Sequence, residues 1–215
     1  MAEARAHAPP ARARAALLSA SLSLAWTTVA WSLLEGGFGL AAALGASSVA
    51  LLGFSLDSAV EAASGGVIVW RSLVERRDPH ARGRVERVER RAGRLVALLL
   101  VALALYIAFE ALVALLVGER PKASLPGIAL AAMTMVMMQW LGRRKREVAH
   151  ALGSRAMAGD AFQATACFYL SAIVLVGIGL NALLGWWWAD PAAALVMVVP
   201  LGQEAVKSWR GSDLD

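Results

Sequence analysis

Asp57 and Glu61 stand four residues apart inside the long apolar stretch Ser48–Trp70. On a helix that spacing puts both carboxylates on one face, one turn apart. Ionisable groups are expensive at membrane depth, so they default to functional candidates. Two like charges this close need a cation between them or a proton on one of them. The plain alternative is a pair of acids hydrogen-bonded to neighbouring helices. Gln163 and Cys167 repeat the four-residue spacing in a second apolar stretch. Taken alone, an amide is often interhelical glue and a buried thiol packs as a small hydrophobe. Counting residues from the ends of the two stretches places Glu61 level with Gln163. Asp57 and Cys167 then form a second level one turn away.

The elements that carry these residues follow from composition. The chain has 215 residues, 59% of them hydrophobic and 17% charged. Soluble domains run nearer half apolar and a quarter charged. A spanning helix needs about 20 mostly apolar residues, and six segments qualify: Ala16–Ala43, Ser48–Trp70, Leu95–Val117, Leu125–Leu141, Ala161–Leu184 and Pro191–Val206. The sixth is the weakest because Pro200 interrupts it. The expectation is an all-α, polytopic membrane protein with six transmembrane helices. Residues 1–15, with Pro9, Pro10 and repeated Ala-Arg, read as a disordered basic tail. Residues 16–209 form the membrane domain and 210–215 a short end. The first apolar run is too long for a signal sequence and lacks a clear cleavage site. One cysteine excludes an internal disulfide.

Lysine and arginine orient the helices. Nineteen of the 21 fall in the N-terminal tail, in the loops after helices two and four, and at the C-terminal end. Only Arg120 and Lys122 fall in the alternate loops. By the positive-inside rule both termini are cytoplasmic. The high pI is thus topological and implies no nucleic-acid partner; the Arg-rich loop Arg76–Arg94 would also touch anionic lipid. Trp186, Trp187 and Trp188 then form an aromatic belt at the outer surface. Asp190-Pro191 reads as the cap and first turn of helix six.

Other polar residues have plainer readings. Glu35 could face a cation path or be satisfied by a helix-two hydroxyl such as Ser55. Asp160 could attract cations at the inner mouth, although a helix-start carboxylate is commonly a cap. Glu110, Glu119 and Glu204 read as solvated. Met133, Met135, Met137 and Met138 fall on several faces of helix four, as lipid-facing or packing residues. His80 and His150 lie in basic loops and make poor metal sites. Gly65, Gly66, Gly177 and Gly179 suggest close helix contacts.

Several of these motifs, in this order, resemble the cation diffusion facilitator family. Asp57-Ser58-Ala59-Val60-Glu61 is similar to that family's Asp-Ser-x-x-Asp on helix two. Glu89–Leu112 resembles its approach to helix three, with Tyr106 and Glu110. Ser154–Cys167 is similar to its Ser-x-Ala-x-x-Asp-Ala-x-His-x-x-x-Asp at helix five. Asp190-Pro191 with Ala192–Leu195 resembles its start of helix six. The resemblance is closest to a short branch that lacks the family's cytoplasmic domain. It implies a homodimer of six-helix protomers, not an enzyme, that exports divalent transition metal in exchange for protons. It also implies a metal site of Asp57, Glu61, Gln163 and Cys167, where Glu61, Gln163 and Cys167 stand in place of the family's Asp, His and Asp. A thiol with two carboxylates favours zinc or another borderline metal over magnesium or calcium. The metal is cargo, and no resident cofactor is expected. Losing the histidine removes the side chain best suited to exchange protons near neutral pH.

Two other classes are weighed against a transporter. A non-transporting partner or regulator of the same fold would fit the altered helix-five site. An intramembrane enzyme fits poorly, because the spans hold no histidine, no Ser–Lys pair at membrane depth and no second acidic motif. Ala- and Arg-rich usage suggests a bacterial plasma membrane. The orientation is testable. A cysteine placed in the Trp186–Trp188 turn should react with an impermeant thiol reagent from outside intact cells, and one at His80 should not; the opposite labelling pattern would overturn the charge argument.

Overall fold

The computed structural model describes residues 11–77, 82–118, 120–122, 124–152 and 154–213. Among them there are six helices and no strand: α1 (Ala11–Ala46), α2 (Val49–Arg77), α3 (Arg82–Val117), α4 (Leu125–Leu152), α5 (Arg155–Leu184) and α6 (Ala189–Asp213). Several outrun the expected spans. The 36 residues of α3 reach about 54 Å at 1.5 Å per residue, well beyond about 30 Å of hydrocarbon. Its basic first turns therefore project past the bilayer as helix, where a loop was expected. In the same way α4 continues through Arg143–Arg146 to Leu152, α1 begins at Ala11 rather than at residue 16, and α6 runs on to Asp213. Charged residues leave a helix in water but do not end it.

Five helices are long and apolar enough to cross a membrane, and the chain is a multi-pass membrane protein. Helix α6 is not among the five; the polar residues Asp190, Gln203 and Glu204 lower its hydropathy, and Asp190 and Glu204 are turned inward and buried. Pro200 lies within it without ending it. Its missing N–H removes one backbone hydrogen bond but does not stop the turns on either side.

Helix α2 is central. It packs against α1, α3, α5 and α6, and 61% of its most apolar window is buried, against 22–33% in the other four. Its start is clamped. Ser48 is the residue before its first turn and accepts a hydrogen bond from the Leu51 N–H at 3.1 Å. The Ser48 hydroxyl donates to Asp190 at 2.5 Å, and the Ala50 N–H reaches the same carboxylate at 3.4 Å. Asp190 thus caps α2, where a cap on its own helix was expected. This contact ties the beginnings of α2 and α6 together. Ser47, at φ 52°, makes the tight return between α1 and α2.

Helix α5 opens on Ser154, whose side chain accepts from the Met157 N–H, and closes on Gly185 in the left-handed region. Of the four glycines read as contact points, two are. A Cβ on Gly177 would lie 2.5 Å from the Ala193 side chain of α6, and one on Gly65 would lie 2.9 Å from Val29 of α1. Gly66 and Gly179 have open space. Trp186 and Trp188 stack at 5.3 Å in the α5–α6 turn, half-exposed as a belt requires. His80 and Glu119 lie outside the described residues. A larger residue at Gly177 must separate α5 from α6. Gly177→Val should therefore destabilise the detergent-purified protein by about 1–3 kcal/mol, read as a lower melting temperature, while Gly179→Val should leave it near wild type. Equal effects at both positions would contradict the packing.

Candidate metal centre

Helices α2 and α5 are neighbours in the bundle and run in opposite directions. In a helix the Cα–Cβ bonds lean toward the N-terminus. Glu61 of α2 therefore leans toward the Trp186–Trp188 end, and Cys167 of α5 leans the other way. The two side chains converge. Counting from the ends of the two stretches sets the Glu61 backbone level with Gln163; in the structure a Glu61 carboxylate oxygen lies within 4.8 Å of the Cys167 thiol, as side-chain lean allows.

Helix α1 supplies a third group. Glu35 stands as far from the end of α1 as Val60 does from the start of α2, so the antiparallel pair brings it level with the acidic turn. Donor atoms of Glu35, Glu61 and Cys167 all lie within 4.8 Å of one another, and all three residues are buried. Glu61 is held by the Ser32 hydroxyl, which donates to its Oε2 at 2.9 Å. Neither carboxylate oxygen of Glu35 has a hydrogen-bond partner. Ser55, the hydroxyl weighed as an alternative to the cation path, donates to the Leu51 carbonyl at 2.7 Å. Glu35 is therefore a member of the cluster, a stronger placement than the accessory role its sequence position suggested.

Asp57 is 2% exposed with its Oδ1 unpartnered. It sits one turn from Glu61 on the same buried face, outside the closest group of three. Gln163 is buried with its Nε2 unpartnered, one turn from Cys167. Glu204 of α6 corrects an expectation. It was read as solvated, yet it is 2% exposed, with Oε2 unpartnered. The carboxylates of Glu61, Glu35, Asp57 and Glu204 all act electrostatically on Cys167. Three helices, α1, α2 and α6, thus deliver acids to the region of Cys167 on α5.

Asp160 corrects another. The cap of α5 is Ser154, and Asp160 lies further in, buried, with its Oδ2 3.0 Å from Lys145 Nζ. Sequence reasoning had counted Lys145 only among the orienting charges. It lies on the buried stripe Thr134, Met138, Leu141, Lys145, Ala149 of α4, and that three-to-four spacing is the signal that could have found it. Of the helix-four methionines, Met138 alone is fully buried, which suits packing rather than a methionine path.

Chemically, the cluster offers two carboxylates and a thiol, with a third carboxylate and an amide one turn away. Bonds from such donors to zinc run about 2.0–2.3 Å, so the present separations lie a rotamer adjustment from a shared ion. Unpartnered buried carboxylates are otherwise unfavourable, and a cation satisfies them.

No curated protein matches the chain. The profile of the cation efflux transmembrane domain matches residues 21–211, which takes in all six helices and every residue of the cluster. The chain belongs to the cation efflux family.

Proposed function

We propose that this member of the family exports a divalent, zinc-like transition metal from the cytoplasm through the α1–α2–α5 cluster, as a homodimer and in exchange for protons. The observation that carries the reading is the buried grouping of Glu35, Glu61 and Cys167 within 4.8 Å. A thiol among the donors favours a borderline metal over hard ions. Asp57, one turn further along α2, gives the ion a second carboxylate, and Gln163 offers an amide oxygen. A buried group of like charges needs compensation. Either a divalent ion or protons supply it, and replacing one by the other is antiport. The charge pattern of the loops supports cytoplasmic termini, and hence Glu204 and the Lys145–Asp160 pair on the cytoplasmic side of the cluster. A partner protein that moves no ion would need no such donor set, so the altered helix-five residues weigh less than they do from sequence alone.

Proteoliposomes with an internal metal indicator and a pH dye test this. Wild type should move Zn²⁺ inward with opposite proton movement. Asp57→Asn should abolish transport in well-inserted protein. Glu35→Gln should weaken Zn²⁺ uptake about tenfold, the scale of one lost charge-assisted contact. Wild-type rates in both variants would sink the site, and a wild type that moves no ion would favour the non-transporting reading. Cys167→Ser should shift preference from zinc toward manganese, because a hydroxyl is the poorer soft ligand. An unchanged metal preference would leave Cys167 as a packing residue only.

A further inference from the structure

Lys145 is fully buried, on the inward stripe of α4, and its Nζ lies 3.0 Å from Asp160 Oδ2. Among the residues whose burial is described it is the only buried lysine or arginine, in a bundle whose buried carboxylates near the site are Glu35, Asp57, Glu61, Asp160 and Glu204. Its lean toward the N-terminus of α4 aims the stem at the cluster. The ammonium interacts electrostatically with Glu61 as well as pairing with Asp160. It makes no geometrically sound hydrogen bond, so the attachment to Asp160 is one of charge rather than a locked fork. A pair whose only task was to join α4 to α5 would be replaceable by apolar residues at little cost. This one stands beside a group of carboxylates that it cannot neutralise alone.

We propose that Lys145 is a tethered counter-cation of the transport site, held by Asp160, that offsets part of the cluster's negative charge and so sets how tightly a divalent ion is bound. This rests on the reading of the cluster as the metal site. A permanent positive charge beside the binding carboxylates weakens cation binding. A site that must release its ion on the far side gains from that weakening. Asp160 acts in the opposite sense, by drawing the ammonium back from Glu61. Lys145 is here a residue that tunes the site and donates nothing to the ion.

The two members of the pair therefore have opposite effects on affinity. Zn²⁺ binding to purified, detergent-solubilised full-length protein is measured by calorimetry. Only the monodisperse fraction with wild-type helicity is used. Lys145→Gln removes the charge while leaving a polar side chain that can donate to Asp160, and should tighten Zn²⁺ binding about tenfold or more, the scale of a unit charge acting on a divalent ion across several ångströms. Should that variant fail to insert, Lys145→Met carries the same expectation. Asp160→Asn should weaken binding by a similar factor. A purely structural pair predicts loss, or no change, from both substitutions, and unchanged or weaker binding in the Lys145 variant overturns the proposal. Wild-type protein that binds no Zn²⁺ overturns the reading of the cluster itself, and the role of Lys145 falls with it.

Discussion

Charge buried without its counter-charge is the constraint on which the rest of this molecule depends. Among the described residues six carboxylates are buried against one lysine. Asp190 is settled by the first turn of α2. The other five gather where α1, α2, α5 and α6 meet, and Lys145 answers only one of them directly. In a low-dielectric interior, such an excess persists only where a cation or protons complete it. The apolar exteriors of the helices hold the bundle in lipid, and the close approaches at Gly65 and Gly177 let the helices carry these groups together.

The clamp at the opposite end matters to the same region. Helix α2 carries Asp57 and Glu61, and its height is set by the Ser48–Asp190 contact between its first turn and α6. The α1–α2 return at Ser47 fixes Glu35 against them. Height on α5 is set by the Ser154 cap. Three local contacts, each legible in backbone terms, therefore align donors that lie over a hundred residues apart in the chain.

Much of this was legible in the sequence. Six apolar runs, alternating basic loops and the two four-residue pairs lead to the six helices and to the α2–α5 face. What was missed has physical causes. Asp160, Glu204 and Lys145 sit near the ends of apolar runs, where hydropathy cannot separate an inward charge from a solvated one. Only the helical stripe through Met138 and Leu141 marks Lys145 as inward, and that stripe extends past the point where the apolar run stops. Glu35 has two readings in the sequence, a cation path or a helix-two hydroxyl, and only the placement of α1 against α2 and α5 separates them. Side-chain lean, in opposite senses on antiparallel helices, brings the Glu61 carboxylate to the Cys167 thiol, a pairing that residue counting alone does not give. The start of α3 and the basic turns of α4 read as loop in the sequence because membrane logic reports where lipid ends rather than where a helix does.

If Cys167 and the two glutamates beside it hold the transported ion, their donor atoms must appear in its coordination shell. Because Cys167 is the chain's one cysteine, zinc-edge X-ray absorption on the Zn²⁺-loaded, tag-free protein tests it directly. One sulfur at about 2.3 Å is expected, with the remaining ligands oxygen at about 2.0–2.2 Å, and the sulfur shell should be lost in Cys167→Ser. A shell of oxygen or nitrogen alone in wild type, or one dominated by histidine scattering, would contradict it.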